Sequence, residues 1–212
     1  MTFSLAGRCA RTGALGGIVC SSSIAVPSRC LWASAQGVVL SQNITDPRLG
    51  VLGLSLLAQG FGATHVLQQI AGAREFGAYR QLAVLDGDGC SDVVTGAKGL
   101  GVTATVKSRD CVAAAMVAAF EAQPEAFLAE RLVAALEAGA AAGGEAGPVH
   151  SAGFCVYVHD VWPVAELRVD WSDTPIADLR ALWARYEPQM KDYATRARNP
   201  AAAPSYGVPG DL

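Results

Sequence analysis

The sequence predicts an α+β fold in which two sheets lie between helical layers. Three observations predict it: the candidate strands come as hairpins, the candidate helices come in consecutive pairs, and no strict alternation of single strands and helices runs along the chain. With 212 residues, 51% of them hydrophobic but only 7% aromatic, there is enough chain for one domain with a core of Ala, Val and Leu. That domain is expected over residues 1–198, followed by a Pro-, Ala- and Gly-rich tail over 199–212.

The chain opens inside a sheet. Phe3 to Arg8 and Leu15 to Ser21 are short apolar runs separated by Cys9 to Ala14, a hairpin with a glycine-containing turn. No helical pattern follows Gly13, Gly16 and Gly17, so they do not form a phosphate loop. Val38 to Gln42 is another strand, ending in the polar run Ser41 to Pro47, which reads as a loop of the kind that holds functional side chains. Leu49, Leu52, Leu54, Leu56 and Leu57, followed by Gly60, give a helix with a glycine stop, and Ala63 to Ala71 gives a second.

Arg80 to Leu85 and Ser91 to Gly96 flank Asp86-Gly87-Asp88-Gly89, where the Asp-Gly steps supply the positive φ of a tight hairpin turn. Paired acids also suit calcium, but no twelve-residue ligand loop ending in Glu follows. From Cys111 to Ala142 the composition shifts to Ala, Leu, Glu and Met, which predicts two helices with Pro124 near the start of the second and Gly143-Gly144 as the stop. Ser151 to Val158 and Val164 to Asp170 are strands. Asp173-Thr174-Pro175 then introduces a helix to about Met190, with Leu179, Leu182, Trp183 and Tyr186 at helical spacing.

Charge excludes some classes of partner. Sixteen Lys and Arg against 19 Asp and Glu leave a net charge of −3, and the basic residues are scattered, which argues against nucleic acid and against a basic membrane-surface helix. Mean hydropathy is +0.29, yet no run approaches the ~18 apolar residues of a membrane span. The opening residues lack the basic and apolar regions of a secretory signal, so a cytoplasmic location is expected. Six cysteines stand singly, without a C-x-x-C pair, and read mostly as small buried thiols. His65 and His159 lack spaced partners, so neither a metal nor another cofactor is expected.

Thr2 is the most informative residue. It is small enough for the initiator Met1 to be removed, which leaves a hydroxyl and a free α-amine on one residue. An amine of pKa about 7.7–8.0 takes the hydroxyl proton near neutrality, making Thr2 nucleophile and base together. A retained Met1 would block this, and many unrelated chains begin Met-Thr.

Ser21 ends the strand paired with that of Thr2, and Ser41, Gln42 and Asn43 end another. Their hydroxyls and amides suit an oxyanion or an α-amine, and equally suit ordinary strand-end capping. Ser21, Gln42 and Asn43 are therefore catalytic candidates, and Ser22, Ser41, His150 and Ser151 substrate-binding ones. Glu145 reads as a solvated acid, with pairing to a substrate ammonium as the alternative.

The opening Met1-Thr2-Phe3-Ser4, the strand end Ile18 to Ser23, the run Ser41 to Gly50 and the run Tyr79 to Asp86 together resemble an uncharacterised bacterial and archaeal family, DUF1028, placed in the Ntn-hydrolase superfamily. Leu128 to Leu132, Gly143 to Glu145, Leu167 to Asp170 and Pro204 to Gly210 extend the resemblance over nearly the whole chain. It implies a four-layer αββα sandwich and hydrolysis of an amide bond by the N-terminal residue. One departure is that Asp110 to Ala114 runs directly into Ala115 to Val117, where the family pattern carries a further Gly-Asn-containing segment. If that segment lines the pocket, substrate range or activity is altered.

The expectation is a cytoplasmic amidohydrolase acting on a small-molecule amide, with Thr2 attacking and Ser21, Gln42 or Asn43 assisting. A non-catalytic binding or assembly protein on the same fold is the alternative, and thiol chemistry at a cysteine is a third. Trp171, Trp183, Tyr186 and Tyr206 suggest anchors for a homo-oligomer, or equally core.

Overall fold

Alternation along the first two strands sets the first sheet. The computed structural model describes residues 2–99 and 111–205. In it, β1 (Thr2–Arg8) and β2 (Leu15–Ser21) pair antiparallel, from Thr2 opposite Ser21 to Arg8 opposite Leu15. On the other side of β2 lies β7 (Ser151–Tyr157), followed by β8 (Ala165–Val169), giving the order β1-β2-β7-β8. All seven residues of β2 are buried, because both faces of this strand are covered. Ile18 and Cys20 face a core shared with helices, whereas Leu15 and Val19 face the other way.

The second sheet is also antiparallel, in the order β3 (Leu31–Ser34), β4 (Gly37–Asn43), β5 (Arg80–Asp86) and β6 (Ser91–Thr95). The two sheets meet where Leu15 packs on Val38 and Leu85. The short α1 (Pro27–Cys30) closes one end of this contact, with Val26 and Cys30 against Val19. On the outer face of the second sheet, α2 (Pro47–Ala58) and α3 (Ala63–Gly72) pack against Val39, Leu82 and Val84. The first sheet is covered by α5 (Leu128–Ala141) and α6 (Pro175–Arg198), which bury Leu132, Leu136, Leu179 and Trp183 against Ile18 and Phe154. Met116 of α4 (Cys111–Glu121) joins the same core beside α5. The fold is thus mixed α+β, with two antiparallel sheets and six α-helices among the described residues.

Local chemistry explains why the helices start and seat where they do. Asp46 precedes Pro47 and accepts the Arg48 N–H at 3.1 Å, capping α2. At Gly50 a Cβ would lie 2.0 Å from the Trp32 ring, so only glycine lets α2 settle on β3. Gly62 has no side chain with which to cap α3. Asp86, buried at the end of β5, supplies the cap instead by accepting the Ala63 N–H at 2.9 Å. Its other oxygen accepts from Asp88 at 3.1 Å and Cys90 at 2.8 Å, so one carboxylate fixes both the hairpin turn and the helix start.

Several expectations need correction. The four-residue α1 and β3 carry too few residues to show a period, so the sequence pattern predicts neither. Pro124 lies in the α4–α5 link, with α5 starting only at Leu128. The last helix runs past Met190 to Arg198, through Pro188. Trp183, 1% exposed, stacks on Phe127 and meets Phe154 edge-on, and Tyr186 donates to the Val164 carbonyl, so these two aromatics serve the core. Trp171 is 58% exposed, and Tyr206 lies outside the described residues. No helix among the described residues is long and apolar enough to cross a membrane.

Candidate active site

The hairpin register brings Thr2 to Ser21, and the loop after β2 builds the surroundings. Thr2 Oγ1 donates to Ser21 Oγ at 3.0 Å. Ser21 Oγ also accepts the Ser23 N–H at 3.2 Å and lies 3.2 Å from Ser23 Oγ. Arg29 Nη2 donates to Ser23 Oγ at 2.9 Å and to the Ile24 carbonyl at 2.6 Å. A line of three hydroxyls therefore runs from Thr2 to a guanidinium.

The loop is held by β7 and the start of α1. Ser151 Oγ donates to the Ser23 carbonyl at 2.6 Å and accepts the Val26 N–H at 3.1 Å, which makes this fully buried hydroxyl a brace for the loop. The His150 N–H donates to the Ser21 carbonyl at 2.8 Å. The His150 ring stacks on Trp171 at 4.4 Å, with Nδ1 3.1 Å from the Ser172 carbonyl, so an exposed aromatic flanks the strand end. Glu145 reaches the same end from the α5–β7 connection. Gly143 and Gly144, with φ of 123° and 51°, turn the chain there, and Glu145 Oε2 accepts the Ser22 N–H at 3.1 Å. Burial pushes the Glu145 carboxyl above its ordinary value, against the lowering effect of the Ser22 hydrogen bonds.

Alternation decides the fate of the β4 candidates. Gln42 is buried and its amide donates to Ser4 Oγ, two residues along β1 from Thr2. Ser41 is fully buried and engages the loop that caps α2, with Thr45 Oγ1 3.3 Å away. Asn43 takes a left-handed conformation with φ of 66° and donates to the Tyr79 carbonyl at 2.7 Å. Thr2, Ser21 and Ser22 thus gather at one strand end, with Ser151 and His150 beside them and Gln42 anchored nearby. Ser41 and Asn43 serve the α2 and β5 loops instead.

Ser23 and Arg29 are contributors that the sequence does not mark as candidates, and Glu145 stands in a different environment from the expected one. Glu145 is half-buried and bonded to the loop, where a solvated acid was expected. The positive-φ pair Gly143-Gly144 is the signal that would have pointed to it. The family departure after Ala114 falls inside α4, which runs unbroken from Cys111 to Glu121 and seats Met116 in the core, while Asp110 lies outside the described residues.

Burial makes three of the six cysteines poor nucleophiles. Burial and the Glu145 charge push the Cys20 thiol up to about 12, and burial with Glu166 does the same for Cys155. Burial also raises Cys30. At Cys9 burial acts upward too, but hydrogen bonds from Thr12 and Arg11 in the hairpin turn carry the thiol below its ordinary value. Cys9 lies at the opposite end of β1 from Thr2. Among the described residues no three His, Cys, Asp or Glu side chains converge on a metal position.

Fold and site together define an α+β protein of two facing antiparallel sheets, with a hydroxyl-rich cluster where the first strand begins. The chain belongs to the family of unknown function DUF1028, whose model matches residues 2–179. It is similar to a protein of known crystal structure from Silicibacter pomeroyi that carries the same family model. The two are 27% identical with a TM-score of 0.81, over 92% of this chain and 90% of that one. No curated protein matches.

Proposed function

We propose that the protein is a cytoplasmic Ntn-type amidohydrolase acting on a small amide, and that its sheets and covering helices form the four-layer αββα sandwich of that superfamily. The observation that carries the reading is Thr2 itself: a hydroxyl on the first strand, 3.0 Å from Ser21 Oγ and set among Ser23, Ser22 and Glu145.

After removal of Met1, Thr2 Oγ1 attacks the amide carbonyl and its proton passes to the Thr2 α-amine. The tetrahedral intermediate collapses by breaking the C–N bond, and the amine returns the proton to the departing nitrogen. The acyl group is then an ester on Thr2. Water, deprotonated by the same amine, attacks this ester; the bond from the acyl carbon to Thr2 Oγ1 breaks, the ammonium returns its proton to Thr2 Oγ1, and the acid leaves. Ser21 orients the Thr2 hydroxyl before attack, and Gln42 holds β1 through Ser4.

The test is a panel of small amides assayed with wild type, Thr2→Ala and Thr2→Ser. Hydrolysis lost in Thr2→Ala and kept in Thr2→Ser supports the reading. Hydrolysis undiminished in Thr2→Ala overturns it.

A further inference from the structure

Arg29 is placed for more than holding a loop. Its Nη2 is committed to Ser23 Oγ and the Ile24 carbonyl, which fixes the guanidinium plane. Its own carbonyl accepts from Thr45 Oγ1 at 3.1 Å, tying its backbone to the β4–α2 loop as well. Among the described residues it makes no ion pair, unlike Arg48, Arg168, Arg180 and Arg198, each of which has a carboxylate partner. A guanidinium carries five N–H donors. Nε–H and both Nη1 protons of Arg29 have no acceptor among the described residues. Those donors are part of the planar fork that grips a carboxylate.

Its location gives that cation a purpose. It stands at the end of the hydroxyl line Thr2, Ser21, Ser23, three hydrogen bonds from the Thr2 oxygen. Ile24 and Ile44, 58% and 59% exposed, lie on the two loops that hold it and offer apolar surface to a short hydrocarbon spacer.

We propose that Arg29 binds a carboxylate of the substrate, so that the amide cleaved at Thr2 also carries a carboxylate a few bonds from the scissile carbonyl, as in an N-acyl amino acid. This assignment rests on the hydrolase reading for the cleavage step but not for the binding step. Bound this way, the carboxylate positions the carbonyl over Thr2, and a neutral isostere loses a charge-assisted hydrogen-bond pair.

The experiment is a titration of Thr2→Ala protein with N-acetylglycine and with its neutral analogue N-acetylglycinamide, followed by NMR of the backbone amides. The acid is expected to bind at least about tenfold more tightly, with shifts centred on residues 21–29. The preference should vanish when Arg29→Gln is added and persist in part with Arg29→Lys, and backbone spectra away from the loop report that each variant is folded. Equal binding of the two probes, binding of neither, or an unchanged preference in the Arg29→Gln protein overturns the assignment. Because no turnover is needed, the two readings fail separately. Preferential binding of the acid by a wild type that cleaves no amide removes the hydrolase and keeps the carboxylate site. Cleavage of amides without charge preference does the reverse.

Discussion

Thr2 Oγ1 and Ser21 Oγ stand 3.0 Å apart across the first strand pair, with the threonine donating. Ser21 Oγ also receives the Ser23 N–H and shares a hydrogen bond with Ser23 Oγ, which Arg29 polarises from the far side. The arrangement fixes the rotamer of the one side chain that the proposed reaction needs as nucleophile. It does so with groups delivered by the strand register and the turn that follows.

Replacing Ser21 with Ala leaves the Thr2 hydroxyl free to rotate. We expect kcat to fall about 10- to 100-fold with KM little changed, since only the orientation of the attacking oxygen is lost. Steady-state kinetics on any amide found to be cleaved checks this, and an unchanged kcat contradicts it.

The Arg180 guanidinium joins α6 to α5. It binds Glu137 through Nε at 2.8 Å and Nη2 at 2.7 Å, and Glu130 through Nη1 at 2.6 Å, while Trp183 Nε1 donates to the same Glu130 oxygen at 2.8 Å. Arg180→Ala takes the cation from two partly screened carboxylates, leaving Glu130 the Trp183 N–H, and should cost about 1–3 kcal/mol. At roughly 2–4 °C per kcal/mol for a chain of this size, the loss is visible in a thermal melt, with activity per folded molecule unchanged.

Asp86 does two jobs with one carboxylate, capping α3 and closing the β5–β6 turn. Asp86→Asn keeps one acceptor and Asp86→Ala keeps none. We expect Ala to cost about 1–3 kcal/mol and Asn distinctly less. Chemical denaturation ranks the two, and equal stabilities would show that the cap contributes nothing.

Acid stability depends on Asp46. The Arg48 side-chain hydrogen bond holds its carboxyl at about 2, below the ordinary 3.8, despite burial acting the other way. Since the folded value lies below the unfolded one, the stabilisation is present above about pH 4. It is lost as pH falls from there toward 2, where the unfolded chain takes up the proton first. Asp46→Asn should therefore lower the melting temperature at neutral pH and flatten its fall across that acid window.

Much of this was legible from the residues. The turn Cys9 to Ala14 sets strands of equal length, so pairing Arg8 with Leu15 necessarily brings Thr2 to Ser21. The helix pairs announced themselves through leucine spacing and glycine stops. What was hidden depended on facts that the pattern of one strand does not contain. Ser41, Gln42 and Asn43 look alike as strand-end polar residues, and only knowledge of which β4 face meets β1 separates Gln42 from its neighbours. Ser23, Arg29 and Glu145 come from a loop, a four-residue helix and a glycine turn, too short to carry a period, and they converge only when β2 meets β7. The last eight residues of α6, Lys191 to Arg198, carry no Leu, Ile or Val to extend the apolar spacing, so the helical pattern gives out near Met190.

The central claim is that Thr2 acts with its own amine, and the most direct measurement is the intact mass of the protein isolated from its own host, with its N-terminal peptide sequenced. The account predicts a chain that begins at Thr2, lighter by one methionine. A mature protein that keeps Met1 has no free amine on Thr2. That result would contradict the proposed mechanism and leave a non-catalytic binding role for the same hydroxyl cluster.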